Sequence, residues 1–146
     1  MAYEKTVWKN NEAPKINADN LNKIEEGIAN AVEKGVTLFD GATGGNVVLS
    51  DTPSNYNTLD IYYNVGSTVL VQTIKANSAY FVLTLSEMDA KVSGNMGIIN
   101  HYKNYIVNDK TFVVNAAGRL FKYQNDTNVT QDTIDYVWIM KVIGYK

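Results

Sequence analysis

The chain contains no cysteine and a single histidine among its 146 residues. Without thiols there is no disulfide framework, no iron–sulfur cluster and no cysteine nucleophile. A lone histidine, His101, does not build a typical zinc site without cysteine partners. Lysine and arginine number 13 against 15 acidic residues, for a formal net charge of −2. A surface of that balance is too weakly basic to track a phosphate backbone, which argues against nucleic acid as a partner. No apolar run approaches the roughly 20 residues of a bilayer span, so membrane insertion is not expected. The opening residues, MAYEKTVWKNNEAPKIN, hold no apolar core of a secretory signal. No P-loop, dinucleotide fingerprint or nucleophile elbow is present, and the Gly41–Gly45 run GATGG precedes a strand-like segment rather than a helix. No cofactor is implied.

The chain is instead rich in tyrosine (10 residues), together with asparagine, threonine and serine. That is a vocabulary of strands and loops. It also suits surfaces that bind sugars or proteins by stacking and adaptable hydrogen bonds. Residues 1–16 read as an extended arm. Pro14 disfavours helix at Ala13, and Trp8 is a large aromatic that needs a surface to pack on. One helix is expected, over 18–34. Asn17 is a suitable N-cap, Asp19 suits the positive end of the helix dipole, and Gly35 is a stop. Leu21, Ile24, Ile28 and Ala31 follow at spacings of three, four and three, a narrow seam of the coiled-coil kind.

After Gly35 the hydrophobic period changes to two. Strands are expected at 36–39, 47–49, 59–63, 68–74, 80–86, 98–107, 111–114, 119–123 and 136–143, separated by turn-forming runs such as NVGS, NDK and NAAG. The expected fold is mainly β. It has an N-terminal arm and a single α-helix, trimeric and coiled-coil-like (1–35), followed by an antiparallel β-sandwich or barrel (36–146). The last strand is apolar on both faces, which places it centrally or under a second subunit. Trp138 on it is expected in a core or a subunit contact, with a sugar platform as the alternative.

From Trp8 to Ile28 the chain reads W-x5-P-x-I-N-A-x-N-L-N-x-I-E-x-G-I. This resembles the N-terminal segment of tail-fibre and baseplate proteins of phages and prophages of Gram-positive bacteria. The stretch LFDGATGGNVVLSDTPSNYNTLDIYY is similar to the start of the β domain of such fibres, and the final KVIGYK to their last strand. The resemblance implies a homotrimer located in the virion tail and synthesised in the bacterial cytoplasm. Its N-terminal segment docks to other tail or baseplate proteins, and its outer β domain recognises host cell-wall saccharide. Trp8, Leu21, Ile24, Ile28 and Ala31 are then the attachment and trimerisation residues. The chain departs from the pattern in having no repeat shaft. A purely architectural role is therefore an alternative, and a small glycan-processing enzyme a second one. The expectation is that it is not an enzyme, since no pair of acids is marked for glycan cleavage.

His101, Lys103 and Tyr105 alternate onto one face of a long strand and form a polar-aromatic stripe. With Arg119 as a forked donor, His101, Tyr105 and Arg119 are the candidate border of a shallow saccharide site. Asp126, Asp132 and Asp135 read as a solvated loop and not a calcium site. The helix seam generates the first prediction. Light scattering on the full chain should report three protomers, and Ile24→Asp with Ile28→Asp should dissociate them by burying unpaired charge.

Overall fold

The computed structural model describes residues 18–31, 35–90, 96–124 and 126–146. The chain divides after Lys34 into two units, each described by itself. In the first unit the helix α1 spans Ala18–Ala31. Asn17 and residues 32–34 lie outside the described residues, as does the arm with Trp8. On the helix, Leu21 and Ile28 are exposed and Ile24 is half-buried.

The second unit is mainly β. Nine strands are present among the described residues: β1 (Val36–Thr43), β2 (Val47–Val48), β3 (Thr58–Val65), β4 (Thr68–Lys75), β5 (Tyr80–Ala90), β6 (Met96–Asn108), β7 (Thr111–Tyr123), β8 (Thr130–Asp132) and β9 (Val137–Tyr145). They form two antiparallel sheets, one ordered β1-β9-β3-β4 and the other β2-β7-β6-β5 with β8 added beside β7. The inner faces meet in a sandwich core. Leu59, Ile61, Val137, Ile139 and Val142 come from the first sheet, and Val47, Leu83, Tyr105 and Phe112 from the second. Full burial of each large apolar side chain stabilises by roughly 1.5–3 kcal/mol.

Turn chemistry sets the register. Gly66 and Ser67 close the β3–β4 hairpin, and Gly66 takes the first central position at φ +59°. That left-handed backbone matches the primed turns whose twist suits paired strands. Asp109, at φ 50°, plays the same part between β6 and β7. At the edge of the core, Asp51 accepts from the Thr52 N–H at 2.8 Å and the Tyr56 hydroxyl at 3.1 Å. These contacts hold its carboxyl below the usual range and fix the short 3-10 turn at Pro53–Asn55.

Bulges decide which residues face inward. On β9 the register with β3 jumps from Ile139↔Tyr63 to Lys141↔Tyr62, so Met140 is unpaired. Val137 and Ile139 point into the core before the bulge, and Val142 and Gly144 after it. Trp138 consequently faces outward at 46 % exposure, beside Asn64 on β3 and over Gly44. Of the placements expected for it, only the core of its own chain is thereby removed.

On β7 the Asn115–Gly118 run does not turn. The strand continues with a bulge at Asn115, between the pairs Tyr105↔Val114 and Asn104↔Ala116. The expected strands 111–114 and 119–123 are thus one, because a single extra residue absorbs the break in alternation.

The sheets are locked together by Lys103, whose side chain is fully buried on β6. Its ammonium donates to the carbonyls of Gly44 and Val137 and to the Asp135 carboxylate. All three of its protons have acceptors, as a buried cation requires. Asp135 also accepts from the Val137 N–H at 3.0 Å, which starts β9. Lys103→Met should therefore cost about 3 kcal/mol by leaving the Asp135 carboxylate without its cation, read as a lowered midpoint in urea unfolding. Lys103→Met with Asp135→Asn should recover part of that loss.

Candidate functional site

The inner face of the second sheet reads as a series of rows across β5, β6 and β7. Phe81, Tyr105 and Val114 form one row, followed by Leu83, Lys103 and Ala117, then Leu85, His101 and Arg119, then Glu87, Ile99 and Phe121. β5, β6 and β7 run to 11, 13 and 13 residues, against eight each for β3 and β4. The first rows are roofed by the first sheet. The later rows pass beyond it, and a cleft of about 460 Å³ opens there. Its walls include Glu87, His101, Arg119, the 65–68 hairpin turn and Tyr136.

The polar groups of the cleft are held in fixed pairs. Arg119 stands directly across from His101 on one side and from Asp132 of β8 on the other. The Arg119 Nε donates to Asp132 Oδ1 at 3.1 Å and to Oδ2 at 3.2 Å, and Nη2 donates to Oδ2 as well. The hydrogen bonds from Arg119 lower the Asp132 pKa, and those to Asp132 raise that of the guanidinium. β8 can approach this closely because Gly118 has no side chain; a Cβ there would collide with the Asp132 carbonyl. His101 Nε2 lies 2.8 Å from Glu87 Oε1. The His101 side chain is only 6 % exposed, whereas that of Glu87 is 48 % exposed.

Tyr136 completes the site. Its ring meets the His101 ring edge-on at 5.6 Å, and the Arg119 guanidinium carbon lies 5.5 Å from its centroid. Its backbone carbonyl accepts from the Gly66 N–H at 3.2 Å, which ties the hairpin turn to the same wall. Tyr136 is 42 % exposed. The cleft thus presents an aromatic ring, a carboxylate and a guanidinium within one small volume. A second depression, lined by Met88, Met96, Ile98 and Tyr123 among others, is largely apolar and offers little to orient a polar ligand.

The structure brings His101 and Arg119 together and separates Tyr105 from them. Tyr105 shares their face, but that face is the interior of the sandwich. It is 0 % exposed, stacked on Phe81 at 5.1 Å, and burial raises its phenol pKa. It cannot border a surface site. Lys103 and His101, expected with it on a polar-aromatic stripe, are buried for the same reason. Asp132 and Asp135 are not part of a solvated loop; each pairs with a cation of the inner face. Glu87 and Tyr136 escaped sequence reasoning. Glu87 sits diagonally across from His101, a relation that only strand register reveals. Of the attachment residues, Leu21, Ile24, Ile28 and Ala31 lie on α1, and Trp8 is outside the described residues.

Comparison of the sequence with protein-family models finds no match, and comparison with curated proteins finds no significant match. The chemistry of the cleft therefore rests on its own geometry. The Tyr105 hydroxyl is buried without a partner among the described residues. Tyr105→Phe should leave urea stability unchanged or raise it by up to about 1 kcal/mol, since it removes an unsatisfied polar atom.

Proposed function

We propose that this chain is a virion structural protein of a phage tail fibre or baseplate. It acts as a homotrimer, and its β domain binds host cell-wall saccharide. Support for the virion assignment is the Trp8–Ile28 motif and the similarity of the later segments to fibre proteins. Support for trimerisation is the apolar seam of α1, with Leu21 and Ile28 exposed on their own protomer. In this reading the N-terminal segment docks to another tail or baseplate protein.

One observation carries the saccharide reading, the half-exposed ring of Tyr136 beside the paired Arg119 and Glu87. A sugar presents apolar C–H faces and hydroxyl edges. An aromatic ring covers the first, while fixed donors and acceptors meet the second. Hydrogen bonds from Arg119 hold the Asp132 carboxyl below the usual carboxylate range, and Glu87 Oε1 lies 2.8 Å from His101 Nε2. That arrangement suits hydrogen bonding better than it suits a carboxyl kept protonated for glycan cleavage.

The architectural alternative draws on a different surface. The outer face of the first sheet exposes Trp138, Val69 and Val71, and apolar residues gathered there fit packing against another protein.

Sedimentation of the full chain with purified host cell walls separates the two readings. Tyr136→Ala and Arg119→Ala should each weaken wall binding about tenfold or more, the scale of a lost hydrogen bond to a charged group. Trp138→Ala should leave it unchanged. Walls that retain no protein, or that retain the two cleft variants as well as the parent, leave the architectural role in place.

A further inference from the structure

The cleft does not present free positive charge. Asp132 occupies the Nε edge of the Arg119 guanidinium and takes one of its Nη2 donors. Arg119 keeps three N–H donors, on a charge that Asp132 already meets. Lys103 lies one row deeper, fully buried, and its ammonium is spent on Gly44, Val137 and Asp135. His101 gives Nε2 to Glu87. Glu87, held to His101 through Oε1 and 48 % exposed, turns its carboxylate toward the opening. The turn 65–68 adds no charge.

A hydroxyl group both donates and accepts, whereas a phosphate or carboxylate oxygen at neutral pH only accepts. The cleft offers the two halves that a hydroxyl needs. Glu87 accepts, and Arg119, a few ångströms from the Tyr136 ring, donates. The His101 ring lines the same wall, and its buried Nδ1 has no partner among the described residues. An acceptor-only anion would leave Glu87 facing like charge, a juxtaposition that costs affinity.

We propose that the cleft selects an uncharged, polyhydroxy sugar ring and rejects phosphate-bearing wall polymers. The ring's C–H face lies on Tyr136. One hydroxyl donates to Glu87 and accepts from Arg119. Ser67 and Thr68 of the hairpin turn line the same cleft. This inference rests on the saccharide reading of the same site and narrows it to a charge class.

Saturation-transfer NMR on the full chain tests it with methyl glucoside, methyl galactoside and N-acetylglucosamine as neutral probes and glycerol 1-phosphate as the anionic one. At least one neutral probe should give a signal that disappears in Tyr136→Ala and weakens about tenfold in Glu87→Gln. Glycerol 1-phosphate should give none and should not compete. The inference is overturned if glycerol 1-phosphate binds the parent chain and loses that binding in Tyr136→Ala. It is equally overturned if Glu87→Gln leaves neutral binding intact, or if no neutral probe binds. When either result coincides with retained, Tyr136-dependent wall binding, only the charge selectivity falls. When wall binding is also absent, the saccharide reading falls with it.

Discussion

The buried ammonium of Lys103 is the constraint on which the rest of the β unit depends. A charge at the centre of a sandwich is tolerated only where its acceptors come to it. Those acceptors lie just past the end of β1, in the residues leading into β9, and on β9 itself. By gathering them, Lys103 fixes where the first sheet ends over the second. That end sets the position of Tyr136, and Tyr136 forms the roof over His101 and Arg119. The lock between the sheets and the wall of the cleft are therefore one set of contacts, and the cleft inherits its rigidity from the core.

Polarity on the inner face is graded along the strands. Phe81, Tyr105 and Phe112 pack as aromatic neighbours at the roofed end. The Lys103 row carries one satisfied charge. The His101 row carries two pairs, and beyond it Ile99, Phe121 and Tyr123 return to apolar packing. Arg119 and His101 find partners one strand away or on the diagonal, and Lys103 finds Asp135 across the sandwich, which is how an inward-facing sheet surface can hold polar groups without the cost of unpaired burial. The pair of Arg119 and Asp132 has a second consequence. It holds the three-residue strand β8 in place, where Gly118 leaves room for it.

Much of this architecture is legible in the sequence. The period of two after Gly35, and the turn residues at Gly66 and Asp109, mark most strands and two hairpins. What period cannot supply is parity across a bulge. A single unpaired residue at Met140 lets apolar residues stand on both faces of β9, and Trp138 ends outside although its strand is central. Another at Asn115 disguises one long strand as two. The stripe of His101, Lys103 and Tyr105 was visible as a stripe, yet alternation alone does not say which face of a strand looks inward. Here two polar side chains go in, because Asp135 and Glu87 are there to meet them. Those partners are 32 and 14 residues away in sequence, too far for any local pattern to connect.

The overhang of β5, β6 and β7 beyond the shorter first sheet divides labour along single strands. One half of each strand packs into the core; the other half reaches the cleft. Glu87, half exposed on the overhang, can be exchanged with less disturbance of the roofed rows than the buried Lys103 can. Selection can then alter the lining of the cleft without renegotiating the fold. Such separability lets variation accumulate at the cleft and keeps it away from the core.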